Sequence, residues 1–343
     1  MCKVLLKKNE AIKQLGLSSH SFDKCVKEGK LTCIQKDDIN YYSKEEIDFF
    51  KNSDYYKQLL VGSVDNRNTL NDLTGKEWIA ETKSYFYQKG LGADSDDAKI
   101  EKQHPAPFSF QDIEKLLLFF TKKNMTVLDP FGGVGSTAKA CELTKRRCIS
   151  IELSEKYHNL SIQRLEKEVG EGCSNNHQFI LGDTLEVLPT IDSDSIDMVV
   201  TSPPYWNILH KQDQKVKKNR VSNNLDTQYS DNDKDLGNIN KYETFLNTLV
   251  NRVFLQCARC LKSNKYLLII VSDFRDKSKF YSFHSDLIYN LNDHEIPDGG
   301  KLMLAGTKIL IQNHKSLHPY GYPFSYVENI HHQYVLIFRK KRC

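Results

Sequence analysis

Two short stretches carry side chains that could do chemistry together. The first is TSPPYW, Thr201 to Trp206, which follows the apolar run SIDMVV. Consecutive prolines, Pro203 and Pro204, fix φ and remove two backbone N–H donors. Their carbonyls, and the one before them, remain as acceptors that local turns cannot tie up. Acceptors facing an amino group hold its hydrogens and concentrate its nitrogen lone pair on an incoming methyl group. Ser202 adds a side-chain acceptor, and Tyr205 adds a flat face on which a planar base can stack.

The second stretch is VLDPFGGVGSTAKA, Val127 to Ala140, a strand entering a Gly-rich turn and leaving as a helix. Glycines there permit positive φ and a close approach of a ligand to the backbone. Thr137 and Ala138 stand where a dinucleotide fingerprint has its third glycine, so a pyrophosphate cradle is not expected. Glu152 closes the next strand, ISIEL, where a carboxylate can accept from both hydroxyls of a ribose. Asp183, in ILGDTLEVL, ends the strand after that and is placed to meet an adenine amino group. Ribose and adenine without a pyrophosphate clamp point to S-adenosylmethionine rather than a nicotinamide cofactor.

These residues need a sheet to carry them. From residue 104 onward strands and helices alternate: MTVLDPF, RCISIEL, HQFILGD, IDMVVTS and KYLLIIVSD read as strands, with helices between. Two more strands, TKILIQN and QYVLIFRKK, close the chain. Such alternation predicts an α/β fold, a doubly wound, mostly parallel sheet covered on both faces. The proline corner then opens on the same sheet edge as the glycine turn.

In combination, DPFGGVGST followed by TSPPYW resembles the amino DNA methyltransferases, which methylate N4 of cytosine or N6 of adenine. HPAPFSFQDIEKLL is similar to the segment that precedes the glycine loop in that family. The resemblance covers residues 104 to 205 tightly and implies a fold of the S-adenosylmethionine-dependent methyltransferase type. It implies that Asp129, Phe131, Gly133 and Gly135 serve the cofactor site, with His104, Pro105 and Phe108 lining its methionine side. Glu152 would hold the ribose and Asp183 the adenine, while Ser202, Pro203, Pro204 and Tyr205 would hold a base flipped out of duplex DNA. Ser at the first corner position leans toward N4-cytosine over N6-adenine. No Pro-Cys pair occurs in the chain, which disfavours a C5-cytosine mechanism. Restriction–modification or phage DNA protection is the implied setting, with a cognate restriction endonuclease as a companion. The oligomeric state is left open.

Residues 1–56 have another texture. EAIKQLGLSSHSFDKCVKEGKL places Ile12, Leu15, Phe22 and Val26 at helical spacings around a break at Gly16. Ser18 or Ser19 can cap the second helix, TCIQ and INYY flank a KDD turn, and SKEE reads as a capping box opening a third helix. This order resembles a small winged helix-turn-helix domain that reads DNA. Residues 57–103 read as a connector and 104–343 as the methyltransferase domain. Residues 207–240 form an insert whose Lys211, Lys215, Lys217, Lys218 and Arg220 can neutralise phosphates.

Bulk properties agree without deciding the matter. The 343 residues carry 48 basic and 44 acidic side chains, a net charge of +4 that permits a polyanion partner. No run reaches the length of a membrane span and no secretory leader is legible, so the expectation is a cytoplasmic protein, nucleoid-associated through DNA. The nine cysteines show no framework, and CARC is a lone pair without the second pair a zinc ribbon needs, so no metal is expected. Three rivals stay open: a methyltransferase of RNA, protein or small molecules, a catalytically inactive DNA-binding regulator, and a nicotinamide oxidoreductase.

Overall fold

The computed structural model describes residues 4–88, 108–206, 232–297, 299–313 and 315–342. The chain divides into two compact units, Met1–Thr69 with Leu73–Thr82, and Leu70–Asp72 with Lys83–Cys343. The boundary expected at residue 56 thus lies further on, past the helix Gly75–Glu81.

In the N-terminal unit, strand β1 (Leu5–Lys7) precedes helices α1 (Lys8–Leu15) and α2 (Ser19–Lys27). Between them Gly16 takes φ 63°, and Ser18 Oγ accepts from Ser21 N–H at 3.1 Å, so Ser18 is the cap. Strands β2 (Ile34–Lys36) and β3 (Ile39–Ser43) turn at Asp37 and Asp38, both at positive φ, as a two-residue hairpin loop requires. The sheet order is β1-β3-β2, all antiparallel. Helices α3 (Lys44–Lys51), α4 (Asp54–Val61) and α5 (Gly75–Glu81) follow. The capping box expected at SKEE does not form. Ser43 makes no side-chain cap bond, and Glu46 instead accepts from Thr32 N–H and hydroxyl, tying α3 to the loop before the hairpin. Leu15 and Phe22 are core residues as their spacing predicts, joined by Ala11, Cys25, Leu31, Tyr42, Ile47 and Phe50.

The second unit is built on one large sheet. Strands β5 (Thr126–Asp129), β6 (Arg147–Glu152), β7 (Gln178–Leu181), β8 (Ile196–Thr201) and β9 (Leu261–Val271) run parallel in the order β7-β6-β5-β8-β9. Beyond β9 lie the antiparallel β14 (His332–Lys341) and then β13 (Lys301–Ile311). Two short strands cap the edge of β13: β4 (Tyr85–Tyr87) on its last residues and β12 (His294–Glu295) on its first. The tail strands therefore make this a mixed sheet with a parallel centre, Rossmann-like in outline. A separate hairpin, β10 (Phe274–Asp276) and β11 (Lys279–Tyr281), follows β9.

Alternate side chains of the central strands enter opposite layers. Val199, Leu267 and Ile269 pack into one apolar cluster, while Met198, Val200, Leu268 and Ile270 pack into the other. The second layer is covered by α6 (Phe110–Phe120), whose buried Phe110, Ile113, Leu117 and Phe120 recur at helical spacing. The first is covered by a long helix, α10 (Tyr242–Thr248), a π-helical stretch Leu249–Phe254 and α11 (Leu255–Cys260). All six residues of β8 are buried, as a central strand demands. From β5 the chain winds outward to β6 and β7, then returns to β8 and winds the other way. The crevice between β5 and β8 is the topological switch point, where ligands of open α/β sheets bind.

Candidate active site

At that switch point the carboxyl ends of four parallel strands converge. β5 ends in Asp129, which is fully buried. Its Oδ1 accepts from Phe131 N–H at 3.1 Å and from the Thr201 hydroxyl at 2.7 Å, and its Oδ2 accepts from the Thr137 hydroxyl at 2.5 Å. Burial pushes this carboxyl upward in pKa, and the three donors oppose the shift. Asp129 so ties the glycine turn, the helix α7 (Ser136–Leu143) and the end of β8 to one point. It braces the site from behind.

The glycine turn is close-packed. Gly133 and Gly135 take φ 51° and 78°. A Cβ at Gly132 would lie 2.0 Å from Ser150 Oγ, and one at Gly135 would lie 2.8 Å from Ser161 Cβ on α8 (Glu155–Glu168). The Gly133 N–H donates to Glu152 Oε2 at 2.7 Å, and Ser154 N–H donates to Glu152 Oε1 at 2.8 Å. Burial raises the Glu152 carboxyl to about 7, with Asp129 and Asp235 adding to the rise and the two backbone donors opposing it. Asp183 caps α9 (Thr184–Val187), its Oδ1 accepting from Leu185 N–H at 2.9 Å.

Phe131, Gly133, Glu152, Asp183, Ser202 and Pro204 line one cavity, with about 610 Å³ of open space including its mouth. Six residues expected from scattered motifs therefore share one wall. The cavity has further walls that the motifs do not announce: Tyr157, Thr184, Lys234, Asp235 and Leu236. Asp235 and Leu236, in the second half of the 207–240 insert, face this cavity. Their contact is made across the sheet edge, so no local spacing marks it. Phe108 does not line the cavity and packs in the core cluster beneath α6. His104, Pro105, Lys211, Lys215, Lys217, Lys218 and Arg220 lie outside the described residues.

The donor set suits S-adenosylmethionine. Carboxylates at Glu152 and Asp183 offer acceptors, and Ile151, Leu153 and Leu236 offer apolar walls. Thr184 Oγ1 is buried with no hydrogen-bond partner among the described residues, as a group awaiting a polar ligand would be. The glycine turn has no room for a Cβ at Gly132 or Gly135, and leaves Gly133 facing the cavity.

The proline corner is rigid. Pro203 is buried, while Ser202, Pro204 and Tyr205 are half-buried. The Tyr205 hydroxyl accepts from Ser272 N–H at 2.9 Å and from Gln333 Nε2 at 3.4 Å, and its ring meets Phe274 and Phe283 edge-on or tilted. Trp206 is buried, with its indole N–H donating to Ile239 O at 2.8 Å. The aromatic pair thus pins the end of β8 on both sides. No described residue donates a hydrogen bond to the carbonyls of Ser202, Pro203 or Pro204. Among the described residues no cluster of His, Cys, Asp and Glu could hold a metal ion, and no helix is long and apolar enough to cross a membrane.

Comparison with known proteins agrees with this geometry. Residues 21–163 match the model of a family described as DNA methylase, covering the glycine turn and Glu152. A protein of Escherichia coli (strain K12) named as a methylase, YubD, is 38% identical over 82 residues, 23% of this chain and 36% of its own. The orphan methyltransferase M.BamHII of Bacillus amyloliquefaciens is 37% identical over 71 residues, 21% of this chain and 27% of its own. The type II methyltransferase M.Cfr9I of Citrobacter freundii is 28% identical over 159 residues, 46% of this chain and 40% of its own. The chain therefore spans well under half the length of each of these relatives. Among solved structures, TrmN from Thermus thermophilus aligns with a TM-score of 0.40 at 14% identity, over 67% of this chain and 48% of that one. Over residues 21–163 the chain is thus similar to the family described as DNA methylase.

Proposed function

We propose that the chain is a site-specific DNA methyltransferase that transfers a methyl group to the exocyclic N4 amine of a cytosine flipped from duplex DNA. The observation that carries this reading is the convergence of Glu152, Asp183 and Gly133 with Ser202 and Pro204 in one cavity at the switch point. Acceptors for a nucleoside and acceptors for an amine thus share a wall.

S-adenosylmethionine supplies an electrophilic methyl group when bound. The chain's own residues do the positioning. The carbonyls of the Ser202–Pro204 corner accept the amine hydrogens, which turns the nitrogen lone pair toward the cavity. The Tyr205 ring supports the extruded base, held in place by its hydroxyl bonds to Ser272 and Gln333. Base extrusion costs a few kcal/mol, offset by that stacking and by hydrogen bonds to the base edge. Placement of the amine by fixed dipoles accounts for the catalysis, and no enzyme nucleophile is required. The N-terminal unit, with its α1–turn–α2 and hairpin, reads the DNA sequence together with residues 207–240. Restriction–modification or phage DNA protection is the setting that fits.

Nucleoside mass spectrometry on DNA incubated with the protein and S-adenosylmethionine tests the reading, with standards that separate the isomers. N4-methylcytosine is expected. N6-methyladenine would keep the site and overturn Ser202 as the signal of base choice. No methylated base on varied DNA, with methylated RNA in its place, would overturn the DNA reading.

A further inference from the structure

We propose that the loop between β13 and β14, residues 315–331, together with the β10–β11 hairpin, forms the surface that grips duplex DNA beside the flipped base. The loop's rings stack on exposed bases, and cations from loop and hairpin hold the phosphates. This proposal rests on the DNA methyltransferase reading above.

Within ten residues the loop exposes Leu317, Tyr320, Tyr322, Phe324 and Tyr326, with Phe324 93% and Tyr326 82% accessible. Soluble surfaces scatter large apolar side chains singly, and a contiguous set marks an interaction site. The loop is also built to hold these rings outward. Gly321 takes φ 74°, and a Cβ there would meet Ser325 O at 2.3 Å. Its carbonyl accepts from Phe324 N–H at 2.7 Å and Ser325 N–H at 2.8 Å. Asn329 clamps the base of the loop, accepting from His318 N–H at 2.9 Å and donating to His318 O at 2.8 Å. An ordered backbone that presents rings to water is a different thing from a failed core.

The same surface is cationic. Arg275, Lys277 and Lys315 line a groove with one acid, Glu328. Arg275 Nε is buried with no hydrogen-bond partner among the described residues, and its guanidinium lies 4.9 Å from the centre of the Phe280 ring. A stacked guanidinium with an unmet donor fits a phosphate. Rings interleaved with cations are the composition that binds bases and backbone together.

Position completes the argument. β13 is antiparallel to β14, which is antiparallel to β9, so the loop leaves the sheet on the edge where the proline corner opens. The Tyr205 hydroxyl is bonded to Ser272, just before the hairpin, and to Gln333, just after the loop. Ser272 in turn donates to His332 O at 3.2 Å. Corner and patch therefore share their anchors. Extruding a base leaves a gap in the stack, and proteins that distort duplexes insert apolar side chains into such gaps.

The test uses the full chain and a labelled plasmid fragment, with fluorescence anisotropy across a salt series. Tyr322→Ala with Phe324→Ala should weaken DNA binding by about tenfold or more, leaving the salt dependence unchanged. Lys277→Ala with Lys315→Ala should weaken binding and lower the slope of log K against log salt by about 2. Both double variants should bind S-adenosylmethionine as the wild type does. Wild-type DNA affinity in both would overturn the surface, as would variants that lose only self-association or capture of another protein. A wild type that methylates DNA while both variants bind and methylate normally removes the surface alone. A wild type that binds DNA but methylates none of it removes the methyltransferase reading, and the binding comparison still decides the surface.

Discussion

The carboxyl of Glu152 accepts two backbone N–H bonds, yet burial holds it near neutrality, at about 7 against an ordinary 4.5. In the folded chain it therefore keeps a proton that the unfolded chain releases above about 4.5. Its contribution to stability is full below that value and is lost as pH rises through about 7. Ligand binding runs the other way, because ribose hydroxyls donate best to an ionised carboxylate. Affinity for S-adenosylmethionine should rise with pH and level off above about 7, with proton release on binding at lower pH. Calorimetry at about pH 6 in buffers of different ionisation enthalpy reads that proton directly. Glu152→Gln should abolish the release and flatten the profile, and a wild type that binds without releasing a proton would sink this role for Glu152. Glu152 was legible because it ends a strand one place along from the glycine turn. Asp235, which adds to its shift, was not, because it reaches the cavity from a distant segment.

Two glycines of one turn should respond differently to the same substitution. At Gly132 the added methyl meets one movable atom, Ser150 Oγ at 2.0 Å, with Ser150 Cβ further off at 3.3 Å. At Gly135 it meets Ser161 Cβ at 2.8 Å and the α8 backbone at 3.1 Å, and the residue sits at φ 78°. Gly132→Ala should thus weaken cofactor binding and be rescued in large part by Ser150→Ala. Gly135→Ala should cost about 1–3 kcal/mol of stability, and Ser161→Ala should rescue little of it. Thermal melts and cofactor titrations of the two double variants check this, and equal rescue would mean that α8 yields as readily as a hydroxyl. The parallel strands and their helices could be read in advance because each is long enough to show its period. β4, β10, β11 and β12 have two or three residues each, too few for a period of two, and they exist only through their partners. The mixed character of the sheet was hidden for a similar reason, since strand direction is set by where the chain returns and not by composition.

At the scale of the whole molecule, the proposed activity would divide two tasks, base choice and sequence choice, between the two compact units. The cavity and proline corner lie wholly in the second unit, so the identity of the methylated atom should depend on that unit alone. Under the same proposal the first unit would read sequence, and its α2 exposes His20, Lys24 and Lys27 on the side away from its buried Phe22 and Cys25. None of these three lines the cavity, and Lys24 pairs with Glu28 at 3.8 Å, a weak surface pair. Lys24→Ala with Lys27→Ala should therefore weaken DNA binding and broaden the set of methylated sequences. Cofactor affinity and the methylated base should stay as in the wild type. Sequencing that maps modified bases across a plasmid, run beside cofactor titration, reads both at once. An unchanged map with unchanged DNA affinity would take DNA reading away from α2. A changed methylated base would run against this proposal, because no described residue of the first unit lines the cavity.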